Sequence, residues 1–148
     1  MSEQQQAVTR LLFELAPRLT RLENALLKGL AEPLTFRQYR LLCRVAEGAS
    51  TLTDLRTPSI LSLAAVSESV DGLVQRKLLA RAVDPSDRRA VTISLTERGR
   101  QAAAAASRLL DGCGSELVAD LGLEDVQWMV DVLGQVRDRV TERLRSLS

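Results

Sequence analysis

One change in hydrophobic period constrains this chain more than any other feature. Up to Lys77 the apolar residues recur at helical spacing. From Leu79 the period becomes two, with Val91, Ile93 and Leu95 alternating with Thr92 and Ser94 as in a half-buried strand. Leu79–Val83 is the matching partner strand. Between them Asp84-Pro-Ser-Asp-Arg-Arg89 forms a polar turn with proline at its second position. After Thr96 the helical period returns. The chain is therefore expected to be mainly α with one small β-hairpin. Aromatic residues make up only 3% of it, so Leu, Val and Ala must build the core, which favours packed helices over an aromatic-rich sandwich.

The helices can be placed from their seams and caps. Val8, Leu12, Leu15, Leu19, Leu22 and Leu26 alternate at spacings of four and three, the seam of a helix packed on another helix. Pro17 lacks the amide that an interior turn needs, so a kink or break is expected there. Thr35-Phe-Arg-Gln38 reads as a capping box. It opens a helix with Tyr39, Leu42, Val45 and Ala46 inward, which stops at Gly48. A short helix follows, roughly 53–57, ended by Pro58. Ser62 caps another, running through Lys77 with Val66, Val70, Leu73 and Val74 inward. Thr96 caps a long helix containing the alanine stretch Ala102 to Ala106, expected to loosen at Gly112-Cys-Gly114 and to end near Gly122. A last helix runs from Leu123 towards Ser146, with Val126, Val130, Leu133, Val136, Val140 and Leu144 on one face. No internal repeat or low-complexity linker interrupts this order.

Charge divides unevenly along the 148 residues. Residues 1–34 carry four basic and four acidic side chains, and residues 101–148 carry five and eight. Residues 35–100 carry eleven basic against seven acidic, so the three segments net 0, +4 and −3. A positive middle between neutral and acidic ends suggests a polyanion-binding module with differently employed flanks. There is no histidine, which removes the commonest general base and the commonest metal ligand together. No nucleophile–base pair, metal cluster or glycine-rich phosphate loop is present either, so neither an enzyme nor a cofactor is expected. The longest uncharged stretch, Thr57 to Ser67, is far short of the roughly 20 residues that span a bilayer. Met1 to Gln6 is polar, without the apolar region of a signal peptide, and two cysteines make no disulfide framework. A cytoplasmic protein is the expectation.

Three stretches converge on one family. Leu34-Thr-Phe-Arg-Gln-Tyr-Arg-Leu-Leu42 resembles the second-helix signature of MarR-type regulators. Leu61-Ser62 followed by Val66, Val70-Asp71, Leu73 and Leu78 resembles their recognition helix and its exit. Asp84-Pro-Ser-Asp-Arg-Arg-Ala-Val-Thr-Ile-Ser-Leu-Thr-Glu-Arg-Gly99 is similar to their wing, running into the next helix. The likeness covers about residues 34–100, and the flanking helices agree in placement and length. It implies a winged helix-turn-helix DNA-binding domain at 35–100, an N-terminal dimerisation helix at 1–34 and C-terminal dimerisation helices at 101–148. Arg56 stands where the family usually has alanine, Ile60 and Lys77 where it has glycine, and Pro58 is unusual in that short helix. Glu68 and Gly72 replace residues that are commonly basic or polar.

The resemblance places Arg89, the last residue of Asp87-Arg88-Arg89 at the wing tip, in a DNA minor groove. A guanidinium is favoured there because a narrow groove concentrates negative potential. Asp87 would brace the hairpin and Arg88 would meet phosphate; a solvated turn is the plain alternative. Ser62, Ala64, Ala65, Ser67 and Glu68 would face the major groove, although Ser62 also reads as a cap and Glu68 as a solvent-facing acid. Arg56, Arg76, Lys77 and Arg81 are candidate phosphate clamps, each also readable as part of a solvated face.

The terminal seams exceed what so small a central domain can cover. By resemblance they interleave with a second copy to form a two-fold dimer. The family often carries an effector pocket between the dimer helices and the DNA-binding lobe. Phe13, Phe36, Tyr39, Arg40 and Cys43 are its nearest candidates by register, plain core being the simpler reading. Cys43 beside Leu42 and Val45 reads as an inert thiol, since peroxide-sensing relatives place their cysteine in the first helix. The expected function is a ligand-responsive repressor that binds a pseudo-palindromic double-stranded operator as a homodimer. The alternative is a winged-helix protein-interaction module that does not bind DNA specifically.

Overall fold

The computed structural model describes residues 1–56 and 62–147 and begins with a 26-residue helix, α1 (Glu3–Lys28). Ser2 and Gln5 cap it reciprocally, a box the sequence reading did not single out. Of the kink or break expected at Pro17, the break does not occur: the helix runs through it. Proline removes one rung of the ladder and frees the carbonyl of Phe13, a residue 78% exposed, where water can meet it. Side chains also support the neighbouring turns: Arg18 Nη1 donates to the Glu14 carbonyl at 2.8 Å and Thr20 Oγ1 to that of Ala16 at 3.1 Å.

Helix α2 (Phe36–Ala46) opens on the predicted box, with the Gln38 amide donating to Thr35 Oγ1 at 3.1 Å and the Thr35 amide to Gln38 Oε1 at 3.0 Å. A further acceptor comes from α1, where Asn24 Oδ1 takes the Phe36 amide at 2.9 Å. That bond anchors the start of α2 to the long helix. Gly48, at φ +110°, ends the segment as expected. Leu41, Leu42 and Val45 are buried, whereas Ala46, expected inward, is exposed. It sits in the last turn, past the point where the core covers that face.

Helix α3 (Leu52–Arg56) is the short element, beginning one residue earlier than expected. Pro58 and Ile60, and with them the expected helix end and turn, lie outside the described residues. Helix α4 (Leu63–Gln75) is capped by Ser62, whose Oγ accepts the Ala65 amide at 3.2 Å. It ends two residues before the expected Lys77. Lys77 instead takes φ +59°, and the Leu78 amide returns to the Leu73 carbonyl at 2.9 Å. This left-handed reversal drops Leu78 into the core, fully buried.

Strands β1 (Leu79–Val83) and β2 (Val91–Leu95) pair antiparallel with Leu79 opposite Leu95, Arg81 opposite Ile93 and Val83 opposite Val91. Both fall where the alternation placed them. Leu79 and Ile93 are buried, while Val83 and Val91 are exposed, so the hairpin is rooted in the core and its tip projects. The Ile93 amide also donates to the Ser50 carbonyl at 2.8 Å, tying the hairpin to the segment before α3.

Helix α5 (Glu97–Leu117) starts at the predicted cap, where Thr96 Oγ1 accepts the Gly99 amide at 2.9 Å. It does not loosen at Gly112 and Gly114 and stops at Leu117, short of Gly122. A helical glycine costs about 1 kcal/mol relative to alanine but keeps its hydrogen bonds, so two of them do not end a 21-residue helix. Helix α6 (Leu123–Leu147) completes the chain.

The core joins Leu27 of α1 to α2, α3, α4, the hairpin root and Ala102 and Ala106 of α5. The terminal seams stay outside it. Leu27 is the one buried residue of α1, and no residue of α6 is buried. Val8, Leu15, Leu19, Trp128, Val130, Leu133 and Val140 are each more than 40% exposed.

Candidate nucleic-acid interface

Ser62, Ala64 and Glu68 stand exposed on the first two turns of α4, with Ala65 and Ser67 half-buried between them. Val66, Val70 and Leu73 bury the opposite face, which fixes the helix with its small residues outward. A backbone with short side chains on its outer face can approach a groove closely.

The tip of the hairpin is held by two aspartates. Asp84 Oδ1 accepts from the Ser86 amide at 2.8 Å and the Ser86 hydroxyl at 2.6 Å. Those bonds hold its carboxyl below the usual carboxylate range. Asp87 Oδ1 accepts the Arg89 amide at 2.9 Å, and its carbonyl takes the Ala90 amide at 2.9 Å. Asp87 thus braces the backbone of the turn, leaving both guanidinium groups outside its grasp. Arg88 and Arg89 are exposed, and among the described residues neither forms an ion pair. Asp84 was missed as a brace; the signal was an aspartate two residues before a serine, the spacing of a local side-chain turn.

The four candidate phosphate clamps separate into two groups. Arg56 and Lys77 are exposed and make no ion pair among the described residues. Arg81 Nη1 lies 2.6 Å from Asp71 Oδ1, so β1 of the wing is clasped to α4. Arg76 turns inward: its Nη2 donates to Glu32 Oε1 and the Pro33 carbonyl, each at 2.5 Å, and its Nη1 to Gln38 Oε1 at 3.4 Å. Glu32 also receives Arg98, with Nε at 2.8 Å and Nη2 at 2.5 Å from Oε2. The hydrogen bonds from Arg76 and then Arg98 hold the Glu32 carboxyl below its ordinary range. Sequence reasoning did not find Glu32, Asp71 or Arg98 in these roles.

The five pocket candidates are not gathered at one place. Phe36 lines a groove of about 650 Å³ between Thr20 and Asn24 of α1, the start of α2, and Glu68, Ser69 and Gly72 of α4. None of the other four lines it. The Phe36 and Tyr39 rings are 6.2 Å apart. Burial, and contact with Cys43, push the Tyr39 hydroxyl up, against a hydrogen bond with Ser107 that lowers it. Arg40 is exposed and opposes the upward effect of burial on Glu23, while Phe13 points into solvent. Among the described residues no group of acidic or cysteine side chains could hold a metal ion. No helix there is long and apolar enough to cross a membrane.

No family model matches the chain. An uncharacterised HTH-type transcriptional regulator of Bacillus subtilis, YhbI, is 29% identical over 128 residues, which cover 84% of this chain and 83% of the relative. A mutant MarR from E. coli, complexed with operator DNA, superposes with a TM-score of 0.72 at 25% identity, covering 88% of this chain and 93% of that one. A MarR family protein from Bacillus stearothermophilus reaches a TM-score of 0.82 at 21% identity, covering 95% and 99%.

Proposed function

We propose that this chain is a DNA-binding transcription regulator of the MarR family, and that it acts as a homodimeric repressor on a pseudo-palindromic operator, released by a small effector. The observation that carries the reading is the projecting wing tip. Arg88 and Arg89 stand exposed at the end of a hairpin whose turn is fixed by Asp84 and Asp87. The hairpin in turn is clasped to α4 through Arg81 and Asp71. A duplex would meet both together, with Ser62, Ala64, Ala65, Ser67 and Glu68 in the major groove and Arg89 in the adjacent minor groove. Arg88, Arg56 and Lys77 supply phosphate contacts, and residues 35–100 are the DNA-binding unit.

Residues 1–34 and 101–148 form the dimer interface. Support comes from α6, which buries no residue within its own chain although Val130, Leu133 and Val140 lie along one face. An apolar seam of that length needs a covering partner. The groove between α1, α2 and α4 is the place for an effector, because it joins the arm to the reading helix and has an apolar wall at Phe36 and polar groups at Asn24, Arg37 and Glu68.

Selection of bound duplexes from a random pool tests this reading, followed by a screen for metabolites that release them. Recovery of a two-fold sequence, bound by a dimer, is the expected result. Enrichment of no sequence over the starting pool, at low and moderate salt, would overturn it.

A further inference from the structure

One carboxylate joins three parts of the molecule that the chain itself connects only at long range. Glu32 lies in the connector between α1 and α2. Its Oε1 receives Arg76, the residue that caps the end of α4, and its Oε2 receives Arg98 from the first turn of α5. Arg76 reaches the same connector a second time at the Pro33 carbonyl, and the α2 capping box at Gln38. The Glu32 side chain is only 20% exposed, so solvent screens these pairs less than it screens the remaining surface bridges, whose acidic partners are about half exposed or more. Without it two guanidinium groups would face each other across the connector with no anion between them.

We propose that Glu32 is a positioning residue for operator binding: it holds the exit of the recognition helix against the α1–α2 connector, and so sets where the two recognition helices of a dimer fall along the duplex. The inference rests on the dimeric operator-binding reading above. The reasoning is mechanical. Helix α4 leaves the core through a left-handed residue, Lys77, and its N-terminal end carries the base-facing side chains. The connector continues α1, the arm that meets the partner copy. A tie between the helix exit and that arm converts the dimer's geometry into a fixed spacing of reading heads, which must match the half-site separation of the duplex.

The test measures binding of the full-length chain to its selected operator, to a scrambled duplex, and to operators with half-sites one base pair closer or further apart. Glu32→Gln, Arg98→Met and the double variant are compared at matched folded fraction. Glu32→Gln is expected to lower the operator-over-scrambled ratio about tenfold, the scale of coupling within a shared charge network. It should also blunt the preference for the parental spacing, without weakening binding to the scrambled duplex, because the variant is one negative charge poorer. Arg98→Met should do the same to a smaller degree, and the double variant should be no worse than Glu32→Gln alone. Parental ratio and spacing preference in Glu32→Gln would overturn the assignment, as would an equal loss on every duplex. A parental chain that binds no duplex would overturn the operator-binding reading itself, and this assignment with it.

Discussion

Gly99 lies so close to Leu78 that a Cβ on its backbone would come within 2.0 Å of the Leu78 carbonyl oxygen. The contact belongs to a small junction. The Thr96 hydroxyl is directed at the carbonyls of Lys77 and Leu78, at 2.7 and 3.1 Å, and the Gly99 amide donates back to the same hydroxyl oxygen. The first turn of α5 is thereby pressed onto the segment that links α4 to β1. Because the obstacle is backbone, it cannot rotate away. Gly99→Ala should therefore destabilise the protein by about 2–4 kcal/mol, at the upper end of overpacking effects. Urea or thermal unfolding checks this, and an unchanged midpoint would mean that the junction yields easily.

Lys77 sits at φ +59° in the same junction, a conformation that costs a side-chain-bearing residue about 1–2 kcal/mol. Lys77→Gly should relieve part of this and raise stability by about 0.5–1 kcal/mol, glycine's greater unfolded freedom offsetting the rest. Lys77→Val should lower it, since a β-branched side chain tolerates the left-handed region least. Thermal midpoints of the pair separate this backbone effect from any phosphate contact, which DNA titration reads independently. A Lys77→Gly protein less stable than its parent would contradict the strain argument.

How far the sequence revealed this structure depended on the range of each interaction. Caps at Thr35, Ser62 and Thr96 and the hairpin at Leu79–Val83 and Val91–Leu95 were legible because each is settled within a few residues. Pro17 does not break its helix, and Gly112 and Gly114 do not end theirs, for the opposite reason: each is a local penalty that a helix of more than twenty residues absorbs. The Glu32 cluster was invisible, since its partners are 44 and 66 residues away and nothing in a lone Glu or Arg names its mate. Of the candidate interface, the hairpin turn could be read from its turn chemistry. That Arg76 faces inward could not.

Acid sensitivity should follow from Glu32. Its folded carboxyl titrates below the ordinary range because Arg76 and Arg98 donate to it. A depressed carboxylate contributes stability that is fully present above its unfolded pKa and is lost as pH falls through the folded one. The stability gap between the parent and Glu32→Gln should therefore be widest near neutrality, and close as pH drops below about 4.3, the reference value for glutamate. Denaturation midpoints from about pH 7 to about pH 3 bracket that value and measure the gap. A gap that is independent of pH would mean that the carboxylate charge is not what matters.

The terminal helices predict an obligate assembly. Leu133 and Val140 are 48% and 53% exposed on α6 in the single chain, and a second copy would cover them. Placing glutamate at both positions buries two charges in an apolar seam, which should abolish the dimer at micromolar concentration and leave unfolded or aggregated protein. Deleting residues 123–148 should do the same. Sedimentation velocity of the parent and both variants reads the outcome, and a well-folded monomer from the truncation would show that the seam is not the interface.

The wing and the recognition helix should fail in different ways. Arg89 stands on a turn that Asp87 holds by its backbone, with no ion pair competing for its guanidinium among the described residues. If it meets DNA, its guanidinium therefore gives up no ion pair among the described residues. Groove and phosphate contacts add affinity with little base information, so Arg89→Ala should weaken binding to operator and scrambled duplex alike, by about 1–3 kcal/mol. Arg88→Ala should act similarly and flatten the salt dependence by about one phosphate's worth. Ser67 and Glu68 lie on the outer part of α4, where a change alters which bases can be met. Their replacement should shift operator preference, and Glu68→Ala should raise non-specific affinity by removing a charge that phosphates repel. Titrations of each variant against both duplexes at two salt concentrations resolve these patterns. If Arg89→Ala binds both duplexes as the parent does, the wing makes no contact with DNA, and affinity must come from α4 and the arginines around it.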